Sequence, residues 1–428
     1  MKTAMGLSSL VRFRSTVLPA VIIAVAATAS QAQPPAEISI QDRLPYGQPP
    51  LDYLGPKTDN PLARLLAADS GFGSTWPYDP HSGYLKSLLK ALSVPIESQL
   101  LVFSQTALNP RLVSPQTPRA VYFNDSVAVG WVPQAASIEI AAMDPAKGAV
   151  FYTLSQNRQA KPLVARETRC LTCHAGGLTM QVPGLMLRSL MTDRRGKPLE
   201  GFSDVSHRMP LRQRWGGWYV TGQAGQTNHL GNIIGREAIA RQRDNPSAVS
   251  NQARLPDDVA TRWYPAVHSD LVAHLVLDHQ VRGQNLMIRA GYEERLGRRS
   301  DVEDRLFRYL LFLDEWHWPE PVSGTSGYQR WFSKQGPRSG TGRSLRAFDL
   351  QTRLFRHRLS YLVYSPLFGG LPQPVLARLG QRWWEFLSDP RPEVEGIPLA
   401  ERQQILDILR SSRAALPPAA FPQLWKSK

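Results

Sequence analysis

Cys170-Leu171-Thr172-Cys173-His174 is the stretch on which the reading of this chain turns, because Cys170 and Cys173 are its only cysteines. Two thiols at this spacing can each join one vinyl group of a single haem, and a histidine directly after them can reach the iron. The pentapeptide therefore predicts one covalent haem. Two other chemistries use the same residue types. A redox pair of the thioredoxin kind opens a helix in a much smaller domain and gains nothing from a following histidine. A structural zinc site needs about four ligands, and with no further cysteine it would have to borrow from His268, His274 and His279.

The N-terminus points the same way. Lys2, Arg12 and Arg14 precede an apolar run from Val17 to Ala27, and Ser30-Gln31-Ala32 offers small residues for cleavage before Pro34-Pro35. This pattern predicts a secretory signal peptide over 1–32, its apolar stretch too short to span a bilayer comfortably. Covalent haem attachment generally takes place outside the bacterial cytoplasm, so leader and motif agree on an exported, periplasmic protein.

The chain carries 50 basic and 35 acidic residues, a formal charge of +15. The excess is largely arginine, spread from Arg43 to Arg413, and the leader accounts for only three of the basic residues. Such a field favours an acidic redox partner protein or peripheral association with an anionic membrane surface. Nucleic acid is not expected as a partner, because no nucleic-acid motif is present.

Residues 33–60 are rich in proline and polar residues and read as an extended N-terminal arm. Helical spacing over Leu62, Leu65 and Leu66, and again over Leu85, Leu88, Leu89 and Leu92, predicts two short helices. Period-two alternation then predicts a β meander at 120–154, with strands near 120–123, 127–132, 137–143 and 149–154 and turns at Asn124-Asp125 and Asp144-Pro145. Asp270 to Tyr292 reads as a helix with an apolar stripe. His279 on that stripe reads as a hydrogen-bonded core residue, and Asp270, His274 and Asp278 stand at i, i+4 beside it. Further helices are expected over 301–313, 374–387 and 399–412, with a surface loop at 323–344. The expected class is mainly α with a small antiparallel β element. A cytochrome-c-like haem domain over 61–235 is set within a larger helical scaffold that continues through 236–428.

Cys170 to His174 match the c-type cytochrome motif in full, and the chain resembles large exported monohaem cytochrome-c-domain proteins of bacteria. Arg214-Trp215-Gly216-Gly217-Trp218-Tyr219-Val220-Thr221-Gly222 and Asp349-Leu350-Gln351-Thr352-Arg353-Leu354-Phe355 carry the wider resemblance. It implies haem c with His174 as the proximal iron ligand.

The residue opposite His174 decides what such a haem does. Met209, followed by Pro210, fits the pattern of a downstream methionine ligand, with His207 and His229 as rivals and His279 next in line. Met180 stands too near the motif in sequence, and Met186 and Met191 read as ordinary packing. A closed iron makes an electron carrier, the preferred reading. An open or weakly held distal position makes a peroxidase or oxygenase, with Arg208, Arg212 or Arg214 beside a bound peroxide. A structural or sensory haem protein is a further alternative.

Overall fold

The computed structural model describes residues 43–426 apart from 69–72, 74–75, 159–162, 203–204, 239 and 241–249. The expected leader over 1–32 lies outside the described residues, as does 33–42 of the arm.

The alternating segments form the sheet that the meander predicts, and the sheet is larger than expected. Strands β1 (Leu100–Val102), β2 (Arg119–Phe123), β3 (Val127–Trp131), β4 (Ser137–Asp144), β5 (Gly148–Ser155) and β6 (Val164–Arg166) lie side by side in chain order, every neighbour antiparallel. Asx turns close the tight connections. The Asn124 carboxamide oxygen accepts from the amides of Ser126 and Val127, and an Asp144 carboxylate oxygen accepts from those of Ala146 and Lys147.

The two faces of the sheet differ in side-chain size. Tyr122, Val129, Trp131, Ile138, Ile140, Val150 and Tyr152 fill one face and pack with helices α1 (Pro61–Ala68) and α2 (Leu85–Ala91). The other face carries smaller residues: Ala128, Gly130, Ala141 and Ala149, with Val121 and Phe151 beside them.

Cys170 to His174 follow β6, and Leu171–His174 form a single helical turn, α3. Past a short 3₁₀ turn the chain makes a hairpin of β7 (Ser189–Thr192) and β8 (Pro198–Phe202). Gly216 and Gly217 pack against this hairpin and the loop after β1. A Cβ on Gly216 would lie 2.9 Å from the Leu190 carbonyl oxygen, and one on Gly217, at φ +82°, would lie 2.8 Å from the Ser104 Cβ. Bulk is therefore excluded at both positions.

The longest helix, α4 (Leu271–Arg295), is buried from Leu271 to Glu293 except at Arg282. Asp270 caps it, accepting from the Ala273 amide at 3.0 Å. The expected apolar stripe is replaced by burial on all sides, which an interior helix permits only when its polar side chains find partners. Asp278 accepts from Trp215 Nε1 at 3.0 Å and lies 3.3 Å from the Arg214 guanidinium. The Tyr361 hydroxyl donates to Gln280 Oε1, Gln284 donates to the Asp125 carbonyl, and Arg289 pairs with Glu293. His279 is hydrogen-bonded core, its ring bonded to His207 and to the Ser360 hydroxyl.

Around α4 lie α5 (Val302–Leu310), α6 (Tyr328–Lys334), α7 (Pro366–Gly369), α8 (Gln373–Ser388) and α9 (Leu399–Ser411). The helices predicted over 301–313, 374–387 and 399–412 are thus present. The stretch expected to be a loop at 323–344 contains α6. Among the described residues no helix is long and apolar enough to cross a membrane.

Two expectations are corrected. The class is mixed α and β, not mainly α, because β1, β6 and the β7–β8 hairpin extend the strand content beyond the meander. These strands run three to five residues, too short for periodicity to separate them from loop. A cytochrome-c-like helical haem domain is also absent from the described residues. The motif is flanked by a strand on one side and by turns and a hairpin on the other, where such a domain needs amphipathic helices.

Removing Arg214 leaves Asp278 charged or protonated without its cation deep in the interior, so Arg214→Ala should lose roughly 3–5 kcal/mol in chemical denaturation. Acid should also destabilise the fold. Burial holds His229 down at about 4 and His274 and His279 at about 3, against an ordinary value of 6.5. Their contribution is complete above about pH 6.5 and is lost as pH falls toward 4. Burial raises Asp278 and Glu315 to about 7, which acts in the opposite sense, favouring the fold as pH falls from 7 toward 4. His207 and His357 are also held low, so the histidines outnumber the two acids. Calorimetry should give a lower Tm at pH 5 than at pH 7.

Candidate functional site

The small-residue face of the sheet is the floor of a large cleft. Its accessible volume is about 220 Å³, open to solvent on one side. Antiparallel register builds the floor from cross-strand rows: Val121 opposite Gly130 and Gly130 opposite Glu139, then Ala128 opposite Ala141 and Ala141 opposite Phe151. Leu185, Leu187, Trp218, Leu277 and Val281 also line the cleft. Cys170, Cys173 and His174 line it too, so the sequence motif and the cavity coincide.

His174 is held by both its backbone and its ring. The Gly184 amide donates to the His174 carbonyl at 2.9 Å, and His174 Nδ1 donates to the Gly184 carbonyl at 2.9 Å. The ring rests on Phe151, with centroids 4.9 Å apart. Helix α4 sets the other end of this clamp, because Asn285 Nδ2 donates to the Leu185 carbonyl at 2.7 Å. With Nδ1 so engaged, Nε2 makes no hydrogen bond among the described residues, which is the arrangement of a metal-binding imidazole oriented by a carbonyl. Burial, aided by the charges of Arg119 and Arg188, pulls the ring down to about 4, so it is neutral and its lone pair is available.

The cysteines behave unlike an activated redox pair. Neither forms a disulfide, and Cys173 is exposed while Cys170 is half-buried. Burial, with Glu139 and Glu167 adding to it, pushes the Cys170 thiol up to about 11. A reactive redox cysteine needs the opposite shift. The zinc alternative finds no ligand set: among the described residues no group of three or more His, Cys, Asp or Glu is placed to hold a metal ion. His268 and His274 are each bonded to backbone carbonyls elsewhere.

Arginines surround the cleft. Arg119 Nη2 lies 2.6 Å from Glu139 Oε2 on the sheet, and Gly130 leaves room for that guanidinium to lie across the strand. Arg169 pairs with Glu167 at the mouth. Arg188 has no carboxylate partner among the described residues, and Arg119 Nε and Arg188 Nε are buried with nothing to receive their hydrogens.

The distal candidates sit away from this cleft. His207 is buried in the core, its Nδ1 2.8 Å from His279 Nδ1 and its ring stacked on Tyr309. Both His229 nitrogens are engaged, Nε2 with the Ser250 carbonyl and Nδ1 with the Gly231 amide. None of Met209, His207, His229 or His279 lines the cleft. Met186 does, and it carries the one thioether among the described lining residues. Its signal in the sequence is its place two residues beyond the Gly184 that grips His174. Of the Arg214–Tyr219 aromatics, Trp218 reaches the cleft, whereas Trp215 lies behind it against Asp278. Gly176 has nothing within 4 Å of the place a Cβ would take, so no neighbour in the fold requires glycine there. No family model, no curated protein and no solved structure matches this chain.

Proposed function

We propose that this chain binds one haem c through thioether bonds from Cys170 and Cys173, with His174 as the proximal iron ligand, and that it serves as an exported electron-transfer protein. The observation that carries the reading is His174: a neutral imidazole, oriented through Nδ1, with Nε2 unengaged in the cleft that also holds both thiols. When bound, haem supplies a one-electron iron couple. The chain's own residues would hold it in a lined, largely apolar cleft, exclude water from one face with Ala128, Gly130 and Ala141, and place Met186 within the same cleft. Export rests on the leader pattern over 1–32. Without the leader's three basic residues the formal charge of +15 becomes 15 − 3 = +12, which suits an acidic redox partner or an anionic membrane surface.

Protein matured with a periplasmic haem-attachment system should keep its colour after denaturation and acidic organic extraction, at one haem per chain. The double variant Cys170→Ala, Cys173→Ala should lose all of it, and His174→Ala should lose the low-spin spectrum. Complete extraction from the wild type would refute covalent attachment.

The carrier reading over the enzyme alternative rests on Met186. The oxidised wild type should be low-spin, and Met186→Ala should turn it high-spin and open to hydrogen peroxide, while Met209→Ala leaves the spectrum as it was. A wild type that is already high-spin and reacts rapidly with peroxide would transfer the assignment to the peroxidase class.

A further inference from the structure

Two cleft-lining arginines, each with a buried guanidinium nitrogen that lacks an acceptor, have no role in attaching the haem or in ligating its iron. Arg119 and Arg188 both line the cleft, both act electrostatically on the His174 ring, and each buries its Nε with no acceptor. A buried N–H left without an acceptor costs roughly 1–3 kcal/mol, and more on a charged group. Two such residues lining one cavity, Arg119 from β2 and Arg188 from the segment before β7, mark a place for an anion. The carboxylates already present do not meet that need. Glu139 takes one edge of Arg119 and leaves Nε free, Glu167 is taken by Arg169, and Arg188 has no carboxylate of its own among the described residues.

We propose that Arg119 and Arg188 are the carboxylate-binding residues of the cleft and receive the two propionates of the haem. This rests on the haem reading above and extends it to the edge of the group remote from its vinyl positions. Guanidinium suits the task because it presents several N–H donors in a fixed plane and stays charged. Gly130 is part of the device, since any side chain there would collide with the Arg119 guanidinium. Arg119 is shared between Glu139 and its propionate, whereas Arg188 serves its propionate alone.

The test uses holoprotein matured with covalent haem, which the thioether bonds retain whatever becomes of the arginines. Resonance Raman spectra and midpoint potentials are compared for wild type, Arg188→Gln, Arg188→Lys, Arg119→Gln and a control, Arg169→Gln, which removes a cleft charge already paired and 77% exposed. The expected result is a shifted propionate bending mode and a lowered potential in Arg188→Gln and Arg119→Gln, partial recovery in Arg188→Lys, and an unshifted mode in Arg169→Gln. Should Arg119→Gln fail to fold because Glu139 loses its partner, Arg188→Gln decides the matter alone. Propionate modes identical to wild type in the arginine variants would overturn the proposal even if their potentials fall, because loss of any nearby cation lowers a potential. That outcome leaves haem attachment standing. A wild type that carries no haem would overturn both readings, and the missing Soret band would distinguish the two cases.

Discussion

Burial of the polar helix α4 is the constraint on which the rest of the structure depends. A helix enclosed on nearly every side and carrying Asp278, His279, Gln280, Gln284, Asn285, Arg289 and Glu293 can persist only because each of these side chains finds at least one partner, although the Gln284 and Asn285 oxygens do not. Those partners come from widely separated parts of the chain: Arg214 and Trp215, His207 and Ser360, Asn124 and Tyr361, Asp125, Leu185 and Met180. The helix is thus a hub of directional bonds, and it ties the sheet turn at 124–125 to the segment after the cysteine motif and to the C-terminal helices. Apolar contact alone would tolerate sliding; these bonds set one register.

The candidate site inherits its precision from that hub. Asn285 holds the backbone at Leu185, Gly184 holds His174, and Phe151 supports the ring from the sheet. The same helix contributes Leu277 and Val281 to the cleft. The floor belongs to a different logic, in which β3 and β4 place Ala128 opposite Ala141, with Gly130 nearby, while the reverse face packs tyrosine, tryptophan and isoleucine. The void on one side and the dense core on the other arise from one alternating pattern.

Much of this was legible in advance, and the failures have physical causes. The strands at 120–154 announced themselves because each has one face in a dense core, so alternation is strong. The helices at 373–388 and 399–411 did so because each keeps a solvated face. α4 was placed correctly along the chain but its surroundings were misjudged, since a polar residue on a helix looks the same in sequence whether it meets water or a buried partner. The size asymmetry that makes the cleft, Ala128 and Gly130 between Val127, Val129 and Trp131, is present in the sequence, but alternation alone does not show that the small face borders a void. Met209-Pro210 matched a local pattern, but the Arg214 side chain donates to the Met209 carbonyl and that segment does not line the cleft. The predominantly helical class failed because strands of three to five residues carry too few alternations to be recognised.

By itself the sequence determined the covalent possibility: two thiols and a histidine within five residues have a fixed reach, and no tertiary contact is needed to read their chemistry. It also determined the meander and the principal helices, whose hydrophobic periods are local. Only the tertiary structure decided what faces His174, because the cleft is assembled from β2 to β5, the segment 185–188, Trp218 and α4, elements brought together from between Val102 and Val281. Register between strands and hydrogen bonds to a buried helix are long-range quantities, and no window of sequence contains both partners.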